Sequence, residues 1–395
     1  MKIAIVSGDD VVGEDPEQLG VALTAQGHDA TVCLRQSGRR RAKAAIGGCR
    51  RVSVPVGPRA AASAVDVLPY VGEWAAKLER VWSKEHPDVV HAYGWLGGLA
   101  AQLAARRRCV PVVQTFLGLA ATARDRAVAA PPKSERERIE PLLARSAMWA
   151  TGESSAEVDM LAQLRHSRAR VSALTCGVDS ERYTPAGPEI ARNGLQRVLC
   201  VAPNPLQHNG FDIAISALYR VPGAELVIAE TDATNTVHDD ARAQLQYLAK
   251  EFGVADRVRF AGTIPGSEMP MWVRSADVMV CTPRQPLRPS TALQAMASGV
   301  VVVAATVGAL ADVVLDDITG IVLPPENPVG LAAALRRLLA QHFQCESMGA
   351  AGRSRAQSRF GWDRIALDAL NVYQSLGAHD RAVTRVPTVL PLSRP

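Results

Sequence analysis

Aromatic side chains are scarce in this chain of 395 residues: Phe, Trp and Tyr together make up 5%. Ala, Val and Leu must therefore fill the interior. No aromatics are interleaved with the basic residues, which argues against a nucleic-acid partner. Cysteines are few and show no paired pattern. The seven thiols, at 33, 49, 109, 176, 200, 281 and 345, are odd in number and lack C-x-x-C spacing. That argues against a disulfide framework and a zinc site, and for reduced thiols in a cytoplasmic protein. Long apolar runs are missing as well. The longest, Gly299 to Leu310, is interrupted by glycine and too short for a bilayer, while Met1–Ser7 is too short for a signal peptide and reads as a strand. Membrane contact is expected to be peripheral at most. Neither G-x-x-x-x-G-K-[ST] nor G-x-G-x-x-G occurs. Asp312, Asp316 and Asp317 lack the spacing of a metal set, so neither a metal nor a cofactor is expected.

What is present suits a globular protein of two domains: 48% hydrophobic and 21% charged residues, with a net charge of +5. Part of that charge lies in Arg39–Lys43 and Arg106–Arg108. Such runs are ordinarily solvated loops or helix ends, with an anionic lipid surface or substrate as the sharper alternative. Short β-branched runs alternate with Ala/Leu-rich helical stretches. Strands are predicted at Ile3–Ser7, Ala30–Leu34, Val89–His91 and Val110–Gln114, with helices at Pro16–Gln26, Asp66–Ser83 and Leu96–Arg107. A second copy of the rhythm has strands at Arg197–Val201, Ala224–Ala229, Val258–Ala261, Val278–Cys281 and Val300–Ala304. Its helices are Asp212–Val221, Asp239–Phe252, Met269–Ser275 and Thr291–Ser298, and a last helix is Trp362–Leu376. The pattern gives an α/β chain of two Rossmann-like, doubly wound parallel sheets facing a central cleft. Its expected divisions are 1–180, a linker at 181–190, 191–358, a helix at 359–378 returning to the first domain, and a loose tail at 379–395.

The most telling segment is Val280-Cys-Thr-Pro-Arg-Gln-Pro-Leu-Arg-Pro-Ser-Thr-Ala-Leu-Gln-Ala-Met-Ala-Ser-Gly299. It resembles, without a gap, the C-T-P-x-x-E-P-F-G-x-x-x-L-E-A-M-A-x-G frame of retaining GT-B glycosyltransferases of the family-4 type. Further likeness lies in Ala25–Val32, Leu68–Trp74, Pro87–Ala101, Cys176–Pro185, Phe260–Pro265, Ser275–Val278, Asp312–Val314, Thr319-Gly320 and Leu323–Pro325. Individually weak, these motifs are jointly specific in this order, and they span nearly the whole chain. The resemblance implies transfer of a hexosyl or other glycosyl unit from a nucleotide-diphosphate sugar to a carbohydrate or lipid-linked acceptor, without a metal. The donor would sit on the C-terminal domain and the acceptor on the N-terminal one.

The positions that carry the family's chemistry differ. Asn204 and Asn209 stand where an arginine and a lysine clamp the diphosphate. Pro286 replaces the first glutamate, Pro289 the glycine, and Gln294 the glutamate that holds the ribose. Leu117 occupies the usual histidine position, with Gln114 where some relatives carry another. A charge-assisted phosphate contact contributes roughly 1.5–3 kcal/mol, so these substitutions point to an impaired donor site. On this reading the chain is a weak or inactive transferase serving as partner or regulator of an active glycosyltransferase. The alternative is a working enzyme with a rebuilt site. Asn204, His208, Asn209 and Arg288 would then meet the phosphates, Ser290 and Thr291 would cap them at a helix start, and Thr263 and Ile264 would receive the base. Asp9, Asp10, Gly13, His91 and Gln114 are the acceptor-side candidates. Acidic turn residues and a structural histidine are the plainer readings of Asp9, Asp10 and His91. An epimerase or phosphorylase is less well supported, because neither a set of acid–base groups nor a strong anion site is visible.

Overall fold

The computed structural model describes residues 1–8, 10–11, 13–35, 45–58, 63–121, 134–232 and 235–383. Asp9, the Arg39–Lys43 run and the tail beyond 383 lie outside the described residues.

The N-terminal sheet contains β1 (Lys2–Ser7), β2 (Asp29–Arg35), β3 (Ala45–Ile46), β4 (Cys49–Val54), β5 (Val89–Tyr93), β6 (Val112–Thr115), β7 (Trp149–Gly152) and β8 (Val171–Ala173). Their spatial order is β3-β4-β2-β1-β5-β6-β7-β8. Every pairing is parallel except the short β3–β4 hairpin. The C-terminal sheet contains β9 (Gln196–Ala202), β10 (Ala224–Glu230), β11 (Val258–Thr263), β12 (Val278–Cys281), β13 (Val301–Ala305) and β14 (Gly320–Leu323). It is wholly parallel, ordered β11-β10-β9-β12-β13-β14. Central strands such as β5, β10 and β13 are buried at every position, as expected where helices cover both faces. Each sheet carries an apolar layer on either side.

The sequence reading located the central strands but missed β3, β4, β7, β8 and β14. β4 reads Cys-Arg-Arg-Val-Ser-Val, with charge in the middle of the run. The predicted helix Asp66–Ser83 is a 3-10 turn, Ala64–Tyr70, followed by an α-helix, Val71–Glu85. Pro69 explains the break, because it lacks an N–H and crowds the preceding turn. Strand β6 starts at Val112 rather than Val110, directly after Pro111. Arg106–Arg108 closes the helix Trp95–Arg108, a favourable place for positive charge.

The last helix runs from Trp362 to Val383, beyond the Leu376 at which apolar periodicity stops. Ile365, Ala366, Leu370 and Tyr373 join the core formed by Ile3, Leu19, Leu23 and Tyr93, so this helix packs back on the N-terminal sheet. Val178 at the crossing between the sheets pairs with Gly361, its N–H donating to the Phe360 carbonyl at 2.8 Å. Among the described residues, no helix is long and apolar enough to cross a membrane.

Candidate functional site

A cavity of about 460 Å³ lies where the carboxyl ends of the two sheets face each other. Parallel α/β sheets bind ligands at this end of their strands. The C-terminal wall comprises Ala202 and Pro203 after β9, Cys281–Pro283 after β12, and Leu287, Arg288, Ser290, Thr291 and Gln294. Gly13, Glu14, Asp15 and Gln18 form the opposite wall, with Val178, Asp179, Arg182 and Trp362 closing the side.

Gly13, Asn209, Arg288, Ser290, Thr291 and Gln294 are thus brought together as the sequence suggested. Ser290 and Thr291 begin the helix Ser290–Ala297, whose N-cap Pro289 offers no side-chain cap. The first-turn N–H groups of a helix have no intrahelical acceptor and favour an anion. Asn209 is fixed by Gly210, which has φ +76° and lies so close to β12 that a Cβ would stand 1.8 Å from the Thr282 carbonyl oxygen. Only glycine fits there. Asn209 Nδ2 donates to the carbonyl and the side-chain Oδ1 of Asn204, both at 2.8 Å. Its own Oδ1 is buried without a hydrogen-bond partner among the described residues.

Other candidates sit elsewhere. His208 does not line the cavity, and burial lowers its pKa, which keeps the ring neutral. Its carbonyl instead accepts from the Arg284 N–H at 2.8 Å, and Arg284 is held by Asp212 and Glu326. Thr263 and Ile264 do not line the cavity: Thr263, exposed, donates its Oγ1 proton to the Asp232 carbonyl at 2.9 Å, and Ile264 N–H donates to that of Glu230 at 2.8 Å. Pro286 packs against Gly308, and Leu117 packs against the core beneath the last helix.

The acceptor-side candidates are chiefly structural. His91 is fully buried, with Nδ1 2.6 Å from the Tyr373 hydroxyl and Nε2 2.6 Å from Thr115 Oγ1. Burial pushes its pKa down to about 3, so the ring is neutral and ties the last helix to β5. Gln114, also fully buried, donates to the Gly94 carbonyl at 2.8 Å. Asp10 Oδ2 accepts from Leu96 N–H at 3.1 Å, capping the helix whose N-cap, Gly94, has no side chain. Burial pushes the Asp10 carboxyl up to about 6.

Arg288 dominates the cleft. It leaves the C-terminal wall and crosses to the N-terminal one, where Nη2 lies 2.8 Å and Nε 3.0 Å from Glu153 Oε1. The same Nη2 pairs with Asp15 Oδ2. The three side chains are 19%, 3% and 13% exposed, respectively. Gly13 lies beside the guanidinium, and its φ of +103° is a backbone conformation that favours glycine. Glu153 has its pKa raised by burial, against which Arg288 pulls it down. Behind it, burial and the Glu153 charge push Glu157 up to about 7. Donor atoms of Asp15, Glu153 and Cys176 lie within 4.8 Å of one another, as a metal site would require. Arg288 already supplies the cation to this group, so its residues do not fit a metal. Arg182 also lines the cavity, bound to the Gly266 carbonyl.

Sequence reasoning missed Asp15, Glu153 and Arg182. The carboxylates lie 273 and 135 residues from Arg288, and no spacing rule joins groups that meet only across a cleft.

Two family models match the chain: residues 12–177 a "Glycosyl transferase 4-like domain", and residues 196–341 "Glycosyl transferases group 1". D-inositol 3-phosphate glycosyltransferase from Xylanimonas cellulosilytica is 31% identical over 346 residues, 82% of either chain. The protein of the same name from Salinispora tropica is 28% identical over 328 residues, 77% of this chain and 67% of its own. Among solved structures, sucrose-phosphate synthase from Thermosynechococcus elongatus superposes with a TM-score of 0.82 at 21% identity, covering 96% of this chain and all of its own. Anabaena HepE in complex with UDP-glucose gives 0.70 at 16% identity, covering 97% and 100%. At these identities the structural likeness speaks for the fold.

Proposed function

Because the chain belongs to the group 1, 4-like glycosyltransferases, we propose that it transfers a glycosyl unit from a nucleoside diphosphate sugar to a hydroxyl-bearing acceptor. The observation that carries this reading is the cleft cavity with the start of helix Ser290–Ala297 on its wall, beside Asn209. The leaving diphosphate gains negative charge as the glycosidic bond breaks. Backbone N–H groups fixed at a helix start stabilise that charge without having to reorganise. Asn209, held by Gly210, and the cationic Arg182 lie on the same cavity. Gln294 accepts and donates hydrogen bonds as a ribose partner. The Gly13–Gln18 wall faces the transferred sugar and the acceptor. The names of the curated relatives support a cyclitol as the first acceptor to try.

One observation favours a second reading, a partner or regulator without turnover. Asn204 and Asn209 are uncharged, Arg288 is balanced by two carboxylates, and Arg182 is the lining cation without one among the described residues. Product analysis separates the two. The protein is incubated with UDP-, GDP- and ADP-hexoses and free or phosphorylated inositol, and product is followed by mass spectrometry. Transfer supports the enzyme; no product with any pair, from protein that also binds no donor, sinks it. Asn209→Ala is expected to lower kcat/KM about tenfold or more, by releasing Asn204 and loosening the phosphate end.

A further inference from the structure

We propose that Asp15 is the carboxylate that holds the transferred sugar, and that Arg288 is its positioning residue; the inference rests on the donor reading above. The wall on which a sugar-binding glutamate was expected offers none, because Pro286 stands there and packs away against Gly308. Two residues on, the same wall instead sends out a guanidinium, and the carboxylate comes from the facing wall. The charges have exchanged sides.

Asp15 is the member of the trio suited to meet a ligand. It lines the cavity, whereas Glu153 lies behind it at 3% exposure. Its Oδ2 is taken by Arg288, while Oδ1 accepts no hydrogen bond among the described residues. Nor is Oδ1 sealed off: it is absent from the buried unsatisfied atoms and lies on the side of Gly13. An ionised carboxylate accepts only, so a sugar hydroxyl can donate to Oδ1 while the bridge stays intact. Glu153 holds the far side of the guanidinium through both Nε and Nη2. That fixes where Arg288 can place Asp15. Because Asp15 opens the helix Asp15–Ala25, its backbone is equally constrained.

The test is titration calorimetry of the full chain with UDP, GDP and ADP beside their hexose conjugates, using whichever base the wild type binds. In Asp15→Asn, affinity for the sugar conjugate is expected to fall about tenfold while affinity for the bare diphosphate changes less than about twofold. Asp15→Glu keeps the charge but moves the carboxylate, and should show the same split with the fold intact. Arg288→Lys keeps a cation but loses the fork, and should weaken the conjugate in preference to the diphosphate. An unchanged ratio of conjugate to diphosphate affinity in both Asp15 variants overturns the inference, as does an equal loss for both ligands. A wild-type chain that binds no diphosphate at all overturns the donor reading first, and this inference with it.

Discussion

At the residue scale, the cleft depends on Arg288. Removing the guanidinium leaves Glu153, 3% exposed, as a buried carboxylate without its partner. Breaking such a pair costs more than the pair itself contributes. Arg288→Ala is therefore expected to lower unfolding free energy by about 3 kcal/mol in urea titrations, and Arg288→Ala combined with Glu153→Gln to recover much of it. Glu157 gives a pH signature. Its carboxyl titrates at about 7 in the fold against 4.5 when free, so between those values the folded chain binds the extra proton. Stability from this group then falls as pH rises from about 4.5 to 7, by up to about 3 kcal/mol. Glu157→Gln should flatten that part of the stability–pH curve, and an unchanged slope would place the titration elsewhere.

At the element scale, the sequence conveyed strands better than their partners. Val-Met-Val-Cys of β12 is an unbroken apolar run and was placed to the residue. Strand β4, which lies between β2 and the short edge strand β3, carries two arginines and was missed. The helix start at Ser290 was legible from the motif, and so was its place in the cleft. His91 was not: strand-end position suggested an acceptor contact or a structural role, and only the fold reveals Tyr373 and Thr115 on its two nitrogens. Tyr373→Phe should cost about 1–3 kcal/mol, because it strands a buried ring nitrogen. It should also loosen the last helix, visible as faster amide exchange there. Gly210→Ala brings a Cβ against the Thr282 carbonyl and forces a disfavoured φ. A loss of about 2 kcal/mol or more is expected, together with weaker donor binding through Asn209.

At the scale of the whole molecule, two parallel sheets and a returning helix create a cleft whose walls are chemically unequal. The C-terminal wall brings a helix start, amide side chains, Arg288 and a single carboxylate, Asp232, and the N-terminal wall brings Glu14 and Asp15. Substitutions in the Val280–Gly299 motif signalled a changed donor site but not what replaced the missing groups. The fold brings Asp15 and Arg182 to the cavity and Glu153 behind it, onto Arg288, and sequence distance hides all three. On the proposed reading, this cleft seats a nucleoside diphosphate sugar. Calorimetric titration of the wild-type chain with UDP, GDP, ADP and their hexose conjugates, without metal and at low salt, tests it most directly. Saturable binding in the micromolar range to one base, lost when Asn209 is replaced by alanine, is the result expected. No heat with any of these ligands would contradict it.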